Sequence, residues 1–352
     1  MKLIIQIPCF DEAEGLPTTL AALPRAVAGF DAVEYLVVDD GSTDGTGEIA
    51  RRHGAHYVVR HPQNRGLAAA FMTGIASCLA LGADVIVNID GDNQYDGGDI
   101  PALVAPLRDG LADYAMGVRP LYDRRYFPLW KSLLTRFGTV VARLLSNVPT
   151  QDAPSGLRAY SADIAQRLRV HGHYSYTMET LVLSGSLRWR MASVPIRVHT
   201  VTRPSRLMRS VPDYICQSTL ALLRGVALHR PWLAWGMVVL AALMPTIVTS
   251  GWHAIRISVS GWTPFPFAIG LTLLVAGSAA IGRWRHQAAH VPHAAEMRPD
   301  MTSAAVVGTD AQRGNYLAAA DGDQEEPLSD PHPVAGIGMS LAVTAGEQTA
   351  DG

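Results

Sequence analysis

"EYLVVDDGSTDGTGEIARRHGAHYVVR", residues 34 to 60, holds two short apolar runs with a polar turn and a helical segment between them. "YLVV" and "YVV" are rich in the β-branched and aromatic residues that strands favour. "TGEIARRHG" has helical spacing. Strand, helix, strand over so few residues reads as a crossover between neighbouring parallel strands. The pattern extends both ways. "KLIIQIP" and "EGLPTTLAALPRAV" come before it; "GLAAAFMTGIASCLALG", "DVIVNID", "DIPALVAPLRDG" and "DYAMGV" come after. Residues 1 to about 200 therefore predict an α/β domain with a mainly parallel sheet flanked by helices. In such sheets ligands bind beyond the carboxyl ends of the strands.

The chain has 352 residues, a net charge of −2 and only 17% charged residues. Near-neutral charge gives no reason to expect a nucleic-acid partner. Few charges and slightly positive mean hydropathy point instead to a membrane part. Cys9, Cys78 and Cys216 are scattered and odd in number, which fits neither a disulfide framework nor a zinc site. "MKLIIQIPCFDE" is too short an apolar run for a signal peptide and reads as a first strand.

Two predicted strands run into carboxylates. Asp39 and Asp40 end the first, and "GSTD" then turns the chain into a helix. An acidic residue at that point accepts hydrogen bonds from a ribose or base edge in dinucleotide folds. Yet no G-x-G-x-x-G follows the first strand, and no G-x-x-x-x-G-K-[ST] is present, so the dehydrogenase and P-loop readings lose their key element. The second strand ends in "DGDNQYDGGD", residues 90 to 99. In extended conformation Asp90, Asp92 and Gln94 would share one side. Clustered carboxylates repel unless a cation joins them, and oxygen donors favour Mg2+ or Mn2+ with substrate phosphates. Asp96 and Asp99 read as turn and cap residues. An EF-hand fails here, because Tyr95 and Pro101 stand where Gly and Glu are needed.

These residues resemble the family 2 glycosyltransferases of the GT-A fold, and within them the dolichyl-phosphate mannose synthase group of polyprenyl-phosphate glycosyltransferases. "IPCFDEAEGL" resembles the opening "IPxYNExxNL", and "VVDDGSTDGT" matches nearly verbatim. "NRGLAAAFMTG", "DGDNQYD", "DAPSGLRAYS", "METLVLSG" and "VPIRV" follow in the family's order. The resemblance implies a GT-A-type, Rossmann-like sheet over roughly residues 3 to 210. It implies a nucleotide-sugar site of Pro8, Phe10, Glu12, Asp39, Asp40, Asp90, Gly91, Asp92, Gln94 and Arg206. Asp90, Asp92 and Gln94 would hold Mg2+ or Mn2+. Arg119, Lys131, Thr135 and Ser155 would meet the acceptor phosphate, and Asp92, Arg119, Lys131 and Arg203 would carry catalysis. "TRPSRL" is one residue shorter than the family's "RxGxSK", with Arg206 in place of lysine, which alters geometry while keeping charge.

The implied reaction moves a sugar, with inversion, from a nucleoside-diphosphate sugar to a polyprenyl phosphate of the dolichyl or undecaprenyl kind. The alternatives are a polysaccharide or glycolipid acceptor and a catalytically idle membrane scaffold. Processive synthases carry Q-x-x-R-W; "GSLRW" has Arg188 and Trp189 but Gly185 in place of Gln. Beyond the domain at 1–206, residues 207–230 mix apolar residues with arginines and read as amphipathic juxtamembrane helices. Residues 231–285 hold two uncharged stretches, each long enough to span a bilayer, separated by Arg256. Trp232, Trp235, Trp252 and Trp262 lie near their ends. Arg224, Arg230, Arg283 and Arg285 flank the pair, which predicts a two-helix transmembrane hairpin with the catalytic domain cytosolic. Hairpins of this kind can pair into a homo-oligomer. Residues 286–352 lack any periodic pattern and read as a disordered tail.

Overall fold

Strand β1 (Lys2–Cys9) runs through the middle of a mixed sheet in a computed structural model that describes residues 1–172, 175–200, 211–256 and 307–308. These all lie within one compact unit, Met1–Thr309; a second unit, Asp310–Gly352, lies outside the described residues. Side chains of β1 alternate between two apolar layers, as a strand buried on both faces must. Leu3, Ile5 and Ile7 join one layer and Ile4 the other. Helix α1 (Leu16–Ala22) leads to β2 (Ala32–Asp39), which pairs with β1 in parallel. Helix α2 (Thr46–Arg52) leads to β3 (Tyr57–Arg60), parallel to β2. Helix α3 (Leu67–Ala80) buries Phe71, Ile75 and Cys78 and delivers β4 (Val85–Asn88) to the other side of β1.

Beyond β4 the parallel pattern breaks. Helix α4 (Ile100–Arg108) leads to β5 (Tyr114–Val118), and α5 (Leu129–Ser146) leads to β6 (Arg158–Ser161). Strand β6 inserts between β4 and β5, antiparallel to both. The short α6 (Ala162–Ala165) and α7 (Thr177–Ser186) precede β7 (Met191–Pro195), which is parallel to β5. Helix α8 (Val211–His229) packs Ala221, Leu222 and Val226 inward, with its Gly225 close against Val182 and Glu179 of α7. Its outer face exposes Ile215, Leu220 and Leu223. Helix α9 (Pro231–Arg256) follows, and β8 (Val307–Gly308) pairs antiparallel with β3. The five strands and four helices read from periodicity are all present. The α/β sheet is as expected; β6 and β7 escaped, because "RAYS" and "MASVP" are only four and five residues long and have no alternation to mark them.

Helix α5 has an inverted amphipathicity. Its inward residues are Ser132, Thr139, Ala142 and Ser146. Trp130, Leu133, Phe137, Val140 and Leu144 recur at helical spacing on the outside, each at least half exposed. The helix carries Lys131, Arg136 and Arg143 and no acidic residue. Among the described residues no helix is long and apolar enough to cross a membrane. In α9 the described side chains end at Met244; the second expected span and the tail lie outside the described residues, apart from Val307 and Gly308.

Candidate active site

One edge of the sheet gathers the chemistry. Cys9 of β1 pairs with Asp39 of β2, so both strands end at one level. Asn88, the last residue of β4, pairs with Arg158, the first of β6. Because β6 is antiparallel, the turn leaving β4 meets the loop entering β6. Met116 of β5 also faces Arg158, so Arg119 emerges at this edge too. Backbone pairing thereby joins segments far apart in sequence: "CFDE", "DDGSTD", "DGDNQ", "VR" and "DAPSG".

Two of these loops are stitched together. The Asp11 N–H donates to Ser42 Oγ (2.9 Å), the Glu12 N–H to Thr46 Oγ1 (2.8 Å) and the Ala13 N–H to Asp44 Oδ2 (2.9 Å). In return the Thr43 N–H donates to Asp11 Oδ1 (2.9 Å). "STDGT" is thus a clamp that fixes the loop bearing Phe10 and Glu12, both half-buried, beside buried Pro8. Asp39 and Asp40 are buried. Asp39 accepts the Ser42 N–H (2.8 Å) and lies 3.4 Å from Arg60 Nε. Asp40 accepts His61 Nδ1 (2.6 Å) and the N–H groups of Arg65 (2.9 Å) and Gly66 (2.8 Å). Asp40, expected at the nucleotide, is thus engaged by the protein's own donors, and its carboxylate anchors the turn that opens α3. The fixed donors outcompete solvent for a buried charge.

The segment after β4 also departs from expectation. It is a tight turn, not an extended run. Asn93 takes the left-handed conformation at φ 57°, and Asp92 Oδ1 accepts the Gln94 N–H (3.0 Å). Asparagine tolerates that conformation and the Asp side chain closes the turn. Asp90, Asp92 and Gln94 therefore do not lie in one extended row. Asp96 caps the next turn through the Gly98 N–H (2.9 Å), as expected, whereas Asp99 pairs with Arg197 (2.8 Å). Asp92 is exposed, Gln94 is half-buried, and Asp90 lines an open cleft with Leu67, Pro154, Tyr176 and Tyr214. Gly91 lets the turn sit against β1: a Cβ there would lie 2.7 Å from Cys9 Sγ. Burial first, then the negative charge of Asp92, pushes the Asp90 carboxyl up to about 7; Glu12 adds to the rise, while Arg119 and Arg158 oppose it. A carboxylate raised by like charges is an electrostatic deficit that a cation removes.

A buried polar network sets the floor. Gln6 Nε2 donates to Asn88 Oδ1 (2.9 Å), and Asn88 Nδ2 donates to Tyr176 Oη (2.7 Å) and to the Gly156 carbonyl (3.1 Å). Tyr176 Oη donates to the same carbonyl (3.0 Å), and its ring stacks on Phe71 with centres 3.9 Å apart. Arg158, wholly buried, donates to the carbonyls of Ala153 (2.8 Å), Ser155 (2.8 Å) and Thr177 (3.0 Å) and to Thr180 Oγ1 (2.7 Å). It pins the "DAPSG" loop to α7. In the sequence its only signal is its place after "SG" and Leu157. Gly156 is where the loop touches Asp90: a Cβ would lie 2.7 Å from Oδ2. Gly156→Ala is expected to keep the fold, since the carboxylate can swing aside. It is also expected to lower kcat/KM by about 10- to 100-fold, because a displacement near 1 Å costs that much. Paired melting curves and transfer assays check it.

The cationic side is partly self-satisfied. Arg119 forms a two-pronged ion pair with buried Asp152, Nε to Oδ2 at 2.7 Å and Nη2 to Oδ1 at 2.8 Å, and lies over the Phe127 ring. Lys131 and Thr135 sit one turn apart on α5, both half-buried. Burial and the neighbouring Arg119 charge lower the Lys131 pKa. Ser155 is buried and its hydroxyl has no hydrogen-bond partner among the described residues. Arg203 and Arg206 lie outside the described residues. Tyr214 and Ser218 of α8 line the cleft, a contribution that an amphipathic pattern did not signal. Gly185 stands at the α5–α7 crossing, where any side chain would collide with the Ser146 carbonyl. The Gln of a Q-x-x-R-W motif therefore has no room there.

Comparison with known proteins agrees with this geometry. The family model described as glycosyl transferase family 2 matches residues 4–169. An uncharacterized glycosyltransferase of Mycobacterium tuberculosis (strain H37Rv) is 34% identical over 196 residues, covering 54% of this chain and 83% of that protein. The undecaprenyl-phosphate mannosyltransferase of Micrococcus luteus is 29% identical over 206 residues, 56% of this chain and 83% of the relative. The glucosyl-3-phosphoglycerate synthase of Mycobacterium tuberculosis, solved with Mn2+, uridine diphosphate and glucosyl-3-phosphoglycerate, superposes with a TM-score of 0.50 at 19% identity, over 64% of this chain and 79% of that one; it speaks for the GT-A-like fold alone. The mixed sheet, its acidic edge and these relatives agree: the chain belongs to glycosyl transferase family 2 and is a glycosyltransferase.

Proposed function

We propose that the enzyme transfers a sugar from a nucleoside-diphosphate sugar to a polyprenyl phosphate at a membrane surface. The inverted face of α5 carries this reading. A helix that turns serine and threonine inward and tryptophan, leucine and phenylalanine outward, with arginines and no acid, suits a lipid interface. The same helix bears Lys131 and Thr135, and Lys131 neighbours Arg119 at the strand edge. An acceptor with a phosphate head and an apolar tail matches both features. The relatives named for undecaprenyl-phosphate and polyprenol substrates support it. We further propose that α8 adjoins the bilayer, that residues 231–285 form the transmembrane hairpin, and that the catalytic domain is cytosolic.

The oxygen donors of Asp90, Asp92, Glu12 and Gln94 fit a hard divalent ion, Mg2+ or Mn2+; burial first, and then the charges of Asp92 and Glu12, raise the Asp90 carboxyl, and a cation would offset both. Bound there, the ion would neutralise the leaving diphosphate. The chain's own residues do the rest. Glu12, held by Thr46 of the "STDGT" clamp, borders the diphosphate site. Lys131 and Arg119 orient the acceptor phosphate against the charge of the donor. An acceptor phosphate oxygen bonds to the anomeric carbon, the bond from that carbon to the diphosphate oxygen breaks, and configuration inverts. The acceptor is already anionic near neutral pH, so no general base is needed.

The full chain, assayed with a panel of sugar nucleotides, should label a short polyprenyl phosphate. Trp130→Ser with Phe137→Ser should raise KM for a long-chain acceptor in vesicles about tenfold, with little change for a short soluble analogue. Transfer confined to water-soluble phosphates would overturn the acceptor assignment.

A further inference from the structure

Away from the strand edge, three metal-binding side chains converge where α8 ends on α7. Glu179 of α7 is wholly buried. It accepts His171 Nδ1 at 2.8 Å, the His171 N–H at 2.9 Å and the Gly172 N–H at 3.0 Å. His229, the last residue of α8, brings its imidazole to the same point, with the two rings 6.3 Å apart. Its Nε2 is buried and has no hydrogen-bond partner among the described residues. The three ligand atoms lie within 4.8 Å of one another. A buried nitrogen without a partner, on a ring that joins a buried carboxylate in this cluster, is an arrangement that the protein alone leaves incomplete.

We propose that His171, Glu179 and His229 form a zinc-class metal site that clamps α8 onto α7. Two imidazoles and one carboxylate are a ligand set that zinc accepts with a fourth position left to water. Tetrahedral bonds of about 2 Å place ligands roughly 3.3 Å apart, within rotamer adjustment of the observed spread. The surroundings select the class of ion. Arg224 lies across Gly172 from Glu179, and Arg169 adds positive charge near His229. Two arginines disfavour a hard cation held by charge alone; imidazole lone pairs bind a transition metal in spite of them. The site differs in chemistry from the oxygen-rich edge, so the two choose different ions. Its consequence is mechanical. Tyr214 and Ser218 line the active cleft on the same helix, and His229 lies 15 residues beyond Tyr214, about 22 Å along the axis. Fixing the far end of α8 fixes the wall of the cleft.

The test uses full-length protein stripped by chelator and held in excess Mg2+, which saturates the oxygen site. Zn2+ is then titrated calorimetrically, and Co2+ is followed by its visible absorption. Wild type should bind about one tight equivalent more than His229→Gln or His171→Ala, and the variants should bind that equivalent more than about a hundredfold weaker, beyond the usual cost of losing an outer-shell partner. His286, His290 and His293 are present in every protein compared, so the difference isolates this cluster. Wild-type melting should shift upward with Zn2+ by mass action, a readout that needs no variant to fold. No Zn2+-dependent shift in wild type, or equal tight binding by folded variants, overturns the site.

Discussion

Asp92→Asn is expected to lower sugar transfer by about two to three orders of magnitude with the fold unchanged. Asp92 is exposed, so no packing is lost. Its Oδ1 accepts the Gln94 N–H, and asparagine keeps an oxygen there, so the turn survives. What disappears is one negative charge beside Asp90 at the place assigned to the cation. Losing a single preorganised electrostatic contact to a developing charge typically costs about 3 kcal/mol of transition-state stabilisation, which is that range of rate. The variant should also need more Mn2+ for half-maximal activity. Label recovered in the lipid phase across a Mn2+ series measures both. Undiminished transfer at every concentration removes the metal assignment.

The second large effect falls on stability. Asp152→Asn leaves Arg119 beside a neutral amide, with only 11% of its side chain exposed. Removing one partner of a buried pair strands the other charge, at a cost of roughly 3–5 kcal/mol. For a domain of about 200 residues that corresponds to a fall in Tm on the order of 10 °C. Arg119→Lys should lose less, since it keeps the charge and gives up the two-pronged geometry. Scanning calorimetry on both decides the matter. Equal Tm values for wild type and Asp152→Asn would show that Arg119 finds another partner or reaches water.

The "DAPSG" loop owes its position to three contacts of different kinds: the Arg119–Asp152 pair, the Arg158 carbonyl bonds and the Gly156 contact with Asp90. Asp152 fixes the loop through Arg119, and Gly156 leaves room for the carboxylate. That accounts for the aspartate and glycine of the loop, and for the arginine that follows it, each by a contact within the protein. It also separates the predictions: Asp152→Asn acts on stability, Gly156→Ala on geometry, and Asp92→Asn on charge.

The sequence by itself determined the layered α/β architecture and the acidic strand ends, because strand and helix periods are local and repeat within a few residues. It also marked Gly185 as a departure from the processive signature, and the structure supplies the collision that explains it. Tertiary structure decided the rest. Antiparallel β6 carries Gly156 onto Asp90, a pairing between residues 66 positions apart that no periodicity encodes. Asp40 is claimed by His61 and Asp92 closes a turn, because a buried or flanking carboxylate takes the nearest fixed donors. The direction of α5 is likewise a tertiary fact. Its pattern announces two faces, and only packing reveals that the apolar one looks outward. Periodicity fixes which residues share a face; long-range pairing and competition for partners fix what that face meets.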